Sequence, residues 1–312
     1  MTATSFGVSD PGLRSDLANR VGEAVYSGVP RPLNSPALAA LIPDFDGLIA
    51  GLDEIDRSVI DAASRLKVIA RYGVGVDRVD LEAARARGIV VTNTPGANAG
   101  AVAELTIGLM LSLARSIPET NFATRAGGWP RVSGLALEGK TVGLLGFGTI
   151  GKEVARRISA FNCTTIAFDP KPDYLAASKY GVTLASRDSV VRQSDFLSLH
   201  LPALPETDSM VDLAFLSQMK PGSFLINTAR GELVDEGALF TALQRGHLRG
   251  AAIDSWRKEP PGADNPLLSL PQVLATPHMG SHTDVAANAM GRMAMQNCIA
   301  VLSGEKPANV VS

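Results

Sequence analysis

At 312 residues, the chain is too long for one ordinary hydrophobic core and suits two α/β domains. Its net charge of −2 provides no electrostatic basis for binding nucleic acid or an anionic membrane surface, and no apolar run approaches a membrane span. Residues 1–5 lack a basic segment followed by an apolar core, so we expect no signal peptide. Cys163 and Cys298 lie far apart and outside any C-x-x-C pair, which argues against a metal site and favours a reducing compartment, by default the cytoplasm.

The first third of the chain alternates short apolar runs with helical patterns. This alternation predicts a parallel sheet whose strands are joined by helical crossovers. The strands are predicted over residues 5–8, 24–26, 47–50, 67–70 and 89–92, and the helices over residues 35–41, 57–64 and 81–87.

A long apolar pattern over residues 101–115 predicts a helix that connects this first series to a second one. A helix that is apolar on most of its faces is usually buried, either inside the protein or at a subunit contact. The helix is therefore also a candidate interface of a homodimer.

The second series opens with the most informative stretch of the chain, in which an apolar run breaks into G-x-G-x-x-G and is followed by a helical pattern over residues 153–161. Gly146 would permit the tight turn, Gly148 would let the backbone approach a pyrophosphate, and Gly151 would let the helix pack closely on the strand. The start of the helix would offer its positive dipole end to the phosphates. The order of these elements predicts a Rossmann unit that binds a dinucleotide.

Asp169 ends the next apolar run, where a carboxylate would accept hydrogen bonds from the adenosine ribose hydroxyls. A carboxylate there repels the 2′-phosphate of NADP, so NAD is the favoured cofactor. Lys171 is the one nearby residue that favours NADP.

Charged side chains follow three later strands of this series, where ligands bind in open α/β sheets. Arg230, Glu259 and His278 each have an ordinary explanation: a helix-end ion pair, a solvated loop acid and a satisfied loop histidine. Their occurrence together after a dinucleotide fingerprint favours a catalytic role. The strands of the second series after the fingerprint are predicted over residues 164–168, 182–184, 196–199, 224–227, 251–253 and 273–275.

A last helix, predicted over residues 284–302, could return the chain to the first unit and make that unit discontinuous. The sequence thus predicts two doubly wound parallel-sheet domains. Residues 1–100 with 285–312 would form a flavodoxin-like substrate domain, and residues 101–284 would form the Rossmann NAD-binding domain.

Several stretches also carry a family resemblance. The sequence resembles the D-isomer specific 2-hydroxyacid dehydrogenases, in particular their D-3-phosphoglycerate dehydrogenase branch. Members of that branch often continue into a C-terminal regulatory domain, so a chain that ends at Ser312 is expected to be a short form. The stretches that carry the resemblance are residues 71–77, 93–96, 103–106, 146–151, 227–231, 259–260 and 276–280.

The resemblance implies catalytic roles for the three charged residues. His278 would be the acid that protonates the developing alkoxide, and the base in the reverse direction, while Glu259 would pair with it and favour its protonated form. Arg230 would clamp the substrate carboxylate and polarise the carbonyl. The backbone N–H groups of Val74 and Gly75 would hold the same carboxylate from the other domain.

The resemblance also implies a set of cofactor contacts around the fingerprint. Thr149 and Ile150 would contact the pyrophosphate beside Gly146, Gly148 and Gly151, and Asp169 would contact the ribose. The remaining contacts would come from Leu201, Pro202 and Thr207 around the adenosine or its phosphates, and from Thr228, Ala229, Arg230, Asp254, His278 and Gly280 along the nicotinamide half.

One departure from the branch concerns the substrate. Where phosphoglycerate dehydrogenases place an arginine after the third strand, this chain reads A-G-L-D-E over residues 50–54. A phosphate would meet acids there unless Arg71, Arg131 or a neighbouring subunit supplied a cation.

The leading hypothesis is an NAD-dependent enzyme that transfers a hydride between nicotinamide and a small D-2-hydroxy acid or 2-oxo acid. Candidates are a 3-phosphoglycerate-like acid, hydroxypyruvate, glyoxylate and a phosphonate or sulfonate analogue. The alternatives are oxidation of a phosphite-type hydride donor and an NAD(H)-sensing, corepressor-like interaction protein. No nucleic acid or membrane partner is expected, and relatives lead us to expect a homodimer.

Overall fold

The computed structural model describes residues 1–29 and 32–311, so Pro30, Arg31 and Ser312, the last residue of the predicted substrate domain, lie outside the described residues. The chain divides into two compact units. Unit 1 comprises Met1–Asn98 with Ser281–Ser312, and unit 2 comprises Ala99–Gly280. Helices and strands are numbered along the chain.

Unit 1 has a three-stranded parallel sheet in the order β1-β2-β3, with helices on both faces. Leu48, Ala50 and Ile69 face the core formed with α2, α3 and α4, whereas Ile49 and Val68 face the core formed with α1 and α12. Its elements are β1 (Gly47–Ala50), β2 (Val68–Arg71), β3 (Val90–Thr92), α1 (Gly12–Val21), α2 (Ser35–Leu41), α3 (Arg57–Ala62), α4 (Leu81–Ala86) and α12 (Asp284–Leu302).

Two strands predicted for this unit are wrong. Residues 5–8 form turns, with the N–H of Val8 bonded to the carbonyl of Ser5 and Gly7 at φ 66°, and Phe6 is buried from within that turn. Residues 24–26 run without strand pairing, although Val25 accepts a hydrogen bond from the Met1 amino group. A short apolar run in the sequence does not distinguish a strand from a buried turn.

Unit 2 has a seven-stranded, all-parallel sheet in the order β10-β9-β8-β7-β4-β5-β6. The order reverses between β4 and β7, and the crevice at such a reversal is where open α/β sheets bind ligands. Its strands are β4 (Thr141–Leu145), β5 (Thr164–Phe168), β6 (Val182–Leu184), β7 (Phe196–Leu199), β8 (Phe224–Asn227), β9 (Gly250–Ile253) and β10 (Val273–Ala275). Its helices are α5 (Ala99–Ala114), α6 (Ile117–Arg125), α7 (Thr149–Ile158), α8 (Tyr174–Tyr180), α9 (Arg187–Gln193), α10 (Leu213–Gln218) and α11 (Glu236–Gln244).

The long helix α5 is a core element of unit 2. Ala103, Ile107 and Met110 are buried with residues of α7 and of the sheet, so the apolar face that made this helix a candidate subunit contact is used inside the unit. Within the described residues, no single helix has the length and hydropathy to cross a bilayer. Helices α5 and α6 meet that criterion only when taken together, and they are bent by 63° at the break between them.

The α/β fold of two doubly wound parallel-sheet units is confirmed. Most helices begin at a side-chain cap, as at Asn34, Asp80 and Asp212, whose side chains accept hydrogen bonds from N–H groups in the first turn. Helix α7 differs, because it follows Gly148 and has no side-chain cap.

Candidate active site

The turn between β4 and α7 is built around two glycines that no other residue could replace without displacing backbone. Gly146 has φ 100°, and a Cβ there would lie 2.3 Å from the carbonyl oxygen of His200. A Cβ on Gly151 would lie 2.3 Å from the carbonyl oxygen of Gly146. Around Gly148, by contrast, a Cβ would meet nothing within 4 Å.

The uncapped start of α7 fits a dinucleotide phosphate. Neither Gly148 nor any side chain caps the first turn, and Gly148 borders open space. The first N–H groups of a helix need acceptors, and a pyrophosphate supplies them together with the negative charge that the helix dipole favours. Thr149 and Ile150 are the first two residues of this helix.

Asp169 lies directly after β5, beside the glycine turn. One carboxylate oxygen accepts a hydrogen bond from the N–H of Phe147 at 2.7 Å, and the other accepts one from the N–H of Lys171 at 2.8 Å. These bonds orient the carboxylate, and each oxygen keeps a lone pair for a ribose hydroxyl. It is the backbone of Lys171 that contacts Asp169 here.

The loop after β7 contains Leu201, Pro202 and Thr207. The Thr207 hydroxyl accepts a hydrogen bond from the N–H of Leu204 and donates to the carbonyl of Pro202, both at 2.8 Å. Thr207 therefore shapes the loop in which all three predicted cofactor residues lie.

His200 is the first residue of this loop and lies at the reversal of strand order. Its Nε2 is 3.0 Å from the Ser198 hydroxyl, whereas its Nδ1 is buried and has no hydrogen-bond partner among the described residues. Burial lowers the pKa of His200 to about 4, so the ring is neutral at physiological pH.

The turn after β8 presents Arg230. The buried side chain of Asn227 spans this turn, since its Nδ2 donates to the carbonyl of Arg230 at 2.8 Å and its Oδ1 accepts from the N–H of Ala229 at 3.1 Å. The guanidinium of Arg230 donates to the carbonyl of Ala229 at 2.7 Å. The sequence predicted the arginine but assigned no role to Asn227.

Thr228 is joined to helix α5. Its hydroxyl lies 2.9 Å from that of Thr106, which donates to the carbonyl of Val102 at 2.8 Å. Because Thr106 has a single hydroxyl proton, Thr228 is the donor of this pair and keeps its lone pairs for a ligand.

His278 and Glu259 form a direct pair. The Nδ1 of His278 is 2.7 Å from Oε1 of Glu259, which also accepts a hydrogen bond from the N–H of Trp256 at 3.2 Å. The side chains are 23% and 10% exposed respectively. Since Nδ1 is bonded to the carboxylate, Nε2 is the ring atom that can exchange a proton with a substrate.

Asp254 holds the loop that carries His278. It is 1% exposed, and its carboxylate accepts hydrogen bonds from the Thr276 hydroxyl at 2.6 Å and from the N–H groups of Met279 and Gly280, both at 2.9 Å. Its own carbonyl accepts from the N–H of His278 at 2.8 Å. These bonds hold His278 at φ 52°, a left-handed conformation that is unusual for a residue with a Cβ.

The structure brings the predicted charged residues together. Strands β8, β9 and β10, which precede Arg230, Glu259 and His278, are neighbours in the sheet. A Cβ on Gly231 would lie 2.0 Å from the carbonyl carbon of Trp256, so the Arg230 turn and the Glu259 loop touch backbone to backbone. The sequence signal for this contact was the glycine directly after Arg230.

Val74 and Gly75 lie in unit 1, in the loop after β2. The carbonyl of Val74 accepts a hydrogen bond from Asn93 at 2.8 Å, and that of Gly75 accepts one from the buried Arg71 at 3.1 Å. Because the protein uses these two carbonyls, the N–H groups are what the loop can offer a carboxylate.

The acids after β1 are not both available to a ligand. Asp53 is 1% exposed and accepts hydrogen bonds from the N–H groups of Leu33 and Gly51 and from the Thr2 hydroxyl, whereas Glu54 is exposed. Arg71 donates to the carbonyl of Ala50 at 2.8 Å as well as to Gly75. It therefore links the ends of β1 and β2.

Among the described residues, no group of three or more His, Cys, Asp or Glu side chains could hold a metal ion.

Comparison with known proteins gives consistent matches over both units. The NAD-binding domain of the D-isomer specific 2-hydroxyacid dehydrogenases matches residues 107–280. The D-3-phosphoglycerate dehydrogenase of Methanocaldococcus jannaschii is 40% identical over 309 residues, which are 98% of this chain and 59% of that protein. The chain spans between 51% and 59% of the length of the first curated relatives it matches.

Two solved structures extend this comparison. The TT0316 protein from Thermus thermophilus is 40% identical, with a TM-score of 0.87 and coverage of 100% of this chain and 98% of its own. The NAD-dependent formate dehydrogenase from Staphylococcus aureus in complex with NAD is 32% identical, with a TM-score of 0.86 and coverage of 96% and 92%.

Proposed function

Because the chain belongs to the D-isomer specific 2-hydroxyacid dehydrogenase family, we propose that it is an NAD-dependent oxidoreductase that interconverts a small D-2-hydroxy acid and its 2-oxo acid. The match of residues 107–280 to the NAD-binding domain of the family supports the assignment of unit 2 as that domain. The observation that carries the proposed activity is the 2.7 Å contact of His278 with Glu259, on a loop beside the Arg230 turn.

Each charged residue has a task in this reaction. Arg230 binds the substrate carboxylate and polarises the keto oxygen, because a guanidinium can donate two parallel hydrogen bonds. His278 delivers a proton from Nε2 to the alkoxide oxygen during reduction and takes it back during oxidation. Glu259 holds Nδ1 and balances the charge of the protonated ring. When bound, NAD supplies the hydride acceptor or, as NADH, the donor.

The remaining binding roles are part of the same proposal. The N–H groups of Val74 and Gly75 bind the carboxylate of the substrate, and unit 1 is the substrate domain. The uncapped α7 holds the pyrophosphate and Asp169 holds the ribose. The other NAD contacts are those predicted from the sequence, namely Leu201, Pro202, Thr207, Thr228, Ala229, Arg230, Asp254, His278 and Gly280.

The substrate is proposed to be a small 2-oxo acid without a phosphate group. Relatives include a phosphoglycerate dehydrogenase and a formate dehydrogenase, so the family spans different substrates. In this chain Arg71 is used to brace strand ends, and Glu54 is the exposed charge after β1. Unphosphorylated acids such as glyoxylate and hydroxypyruvate are therefore the first candidates.

The test is NADH oxidation by the purified protein across a panel of 2-oxo acids. The panel holds glyoxylate, hydroxypyruvate, phosphohydroxypyruvate, pyruvate, and phosphonate and sulfonate analogues, and NAD reduction by phosphite is assayed beside it. Turnover of at least one oxo acid is expected. If no oxo acid oxidises NADH, the proposal is contradicted. If NAD is reduced by phosphite and no oxo acid is turned over, the protein is a phosphite-oxidising enzyme instead.

His278→Ala tests the assigned chemistry. Turnover is expected to fall by about 10²- to 10⁴-fold, since a positioned acid contributes that much. NADH binding, measured by fluorescence titration, should change little. An equal loss of binding would show that His278 serves the cofactor rather than the substrate.

We also propose a homodimer in the cytoplasm. Phe122 and Trp129, on α6 and the loop after it, are both 77% exposed, and large exposed aromatic side chains often mark subunit contacts. A second copy of the chain is the proposed occupant of this surface. Light scattering on an eluted peak should give twice the chain mass of 32.6 kDa, whereas a monomer at micromolar concentration would contradict it.

A further inference from the structure

The loop that carries Glu259 is held in place by Glu236, an acid outside the predicted site. Residues 254–265 connect β9 to the 3₁₀ turn Pro266–Ser269. Most of this loop is intermediate or exposed, so its own packing does little to fix it. Glu259 nevertheless meets Nδ1 of His278 at 2.7 Å.

Glu236, the first residue of α11, bonds to both ends of this loop. One carboxylate oxygen accepts a hydrogen bond from the N–H of Arg257 at 3.0 Å, and the other accepts one from Nδ2 of Asn265 at 2.7 Å. Glu259 lies between these two points along the chain. A single carboxylate thus closes the segment 257–265 and restricts where Glu259 can lie.

The amide of Asn265 is oriented from its other side. Its Oδ1 accepts a hydrogen bond from the N–H of Leu267 at 3.1 Å, where Asn265 caps the 3₁₀ turn. Nδ2 must therefore be the group that faces Glu236, and the bond needs an acceptor there.

Capping of α11 does not require Glu236. Asp235 already fills that role, since its carboxylate accepts hydrogen bonds from the N–H groups of Gly237 and Ala238 at 2.9 and 3.0 Å. Both oxygens of Glu236 point away from its own helix, to the Glu259 loop.

We propose that Glu236 is a positioning residue for the Glu259–His278 pair. The inference rests on the proposed function, because it assigns Glu236 to the rate of that reaction. Glu236 acts through the loop that carries Glu259, because its two hydrogen bonds hold both ends of that loop against α11. Its loss should lower kcat and leave the dinucleotide turn between β4 and α7 untouched.

The chain offers a reciprocal test. Glu236→Gln leaves one acceptor oxygen for two donors, so the new amide N–H₂ must face either Nδ2 of Asn265 or the N–H of Arg257. Asn265→Asp places two carboxylates face to face. Each single variant should lower kcat about tenfold or more, because small displacements of a catalytic group are costly. The double variant E236Q/N265D restores the bond with its polarity reversed, since the new amide at position 236 can donate to the new carboxylate at position 265, which still accepts from the N–H of Leu267. Its kcat should return to within about threefold of the parent, a coupling that independent sites do not show.

Glu119→Gln is the matched control. It removes a first-turn carboxylate from α6, which like α11 has nine residues and lies in unit 2. This variant should keep the parent kcat. Thermal unfolding and the Kd for NADH are measured for every variant, and both are expected to stay close to the parent, which separates loop positioning from loss of fold.

Two results would overturn the proposal. One is a kcat for E236Q within twofold of that of the parent, and the other is a kcat for the double variant no higher than that of its worse single variant. Should N265D not fold, E236Q and hydrogen exchange decide the question, because amides 257–265 should exchange faster in E236Q. If the parent turns over no acid in the panel, the proposed function fails. Faster exchange in E236Q that is reversed in the double variant would then still support the closure of the loop by Glu236.

Discussion

Individual polar side chains in unit 2 mostly hold backbone in place. Asn227, Asp254 and Thr207 each use their polar atoms to bond main-chain groups of the loops after β8, β10 and β7 respectively. The residues proposed to do chemistry could be predicted from the sequence because charge after an apolar strand is a visible pattern. The positioning roles could not be predicted. Asp254 was predicted only as a cofactor contact, and Glu236 looks like any other helix acid until its partners are known.

Asp195 provides the sharpest prediction at this scale. Its carboxylate accepts hydrogen bonds from the N–H of Thr141 at 2.9 Å and from Lys220 at 2.6 Å, at the start of β4. Burial opposes ionisation, but these bonds outweigh it, and the pKa of Asp195 lies below its ordinary value of 3.8. The charged form therefore stabilises the fold at neutral pH, and this contribution is lost as the pH falls through the folded-state pKa.

Asp195→Asn should destabilise unit 2 by about 1–2 kcal/mol at pH 7. The difference from the parent should shrink as the pH falls below the ordinary pKa of 3.8 and through the lower folded-state pKa, where the carboxylate of the folded protein becomes protonated. Urea unfolding followed by tryptophan fluorescence measures it, because both tryptophans, Trp129 and Trp256, lie in unit 2. Asp188→Asn, which removes an exposed ion pair with Arg187, is the control. A difference that stays constant with pH would contradict the assignment.

At the scale of elements, strand positions in unit 2 were largely predictable. Buried parallel strands there are continuous apolar runs bounded by glycine or polar residues, and β5, β6, β7, β8 and β10 begin and end where the sequence indicates. Helix starts were less visible. The pattern predicted a helix from residue 153, whereas α7 begins at Thr149, because its first turn consists of the glycine-rich segment that carries no apolar period.

The glycine turn is proposed to serve both folding, through Gly151, and cofactor binding, through Gly148, and paired variants can separate these two functions. Gly151→Ala should destabilise unit 2 by about 1–3 kcal/mol, because its Cβ would meet the carbonyl of Gly146 at 2.3 Å. Gly148→Ala has room for its Cβ and should fold normally, yet bind NADH about tenfold more weakly, about 1.4 kcal/mol, if the open side receives the pyrophosphate. Urea unfolding and NADH titration read the two effects. Tight NADH binding by Gly148→Ala would place the phosphates elsewhere.

At the scale of the whole molecule, the chain leaves unit 1 at Asn98 and returns to it at Ser281. Helix α12 then supplies Met290, Ala294 and Cys298 to the core that also contains Ile49 and Val68 of the sheet of unit 1. The apolar period of α12 and its return to the first unit were predicted from the sequence. The residues that it contacts there were not predicted, since nothing local identifies the packing partners of a late helix. The sequence therefore predicted the number of units better than the composition of each core.

Unit 2, by contrast, is one continuous segment with a hydrophobic core on each face of its sheet. A fragment of residues 99–280 should therefore fold cooperatively by itself and bind NADH, without turning over any oxo acid. Circular dichroism and NADH titration test this expectation. A fragment of residues 1–98 should not fold stably, because it lacks α12. A molten 99–280 fragment would show that unit 2 depends on unit 1 for its core.

The left-handed backbone of His278 sets stability against the proposed catalytic role of this residue. A residue with a Cβ in that region is strained by about 1–3 kcal/mol, whereas glycine or asparagine adopts it with ease. Selection for thermal tolerance alone would thus favour a residue without an imidazole at the very point where the proposed reaction requires one. Consensus or computational redesign that optimises the folded state would be drawn to this site, and it should be held constant in any such effort.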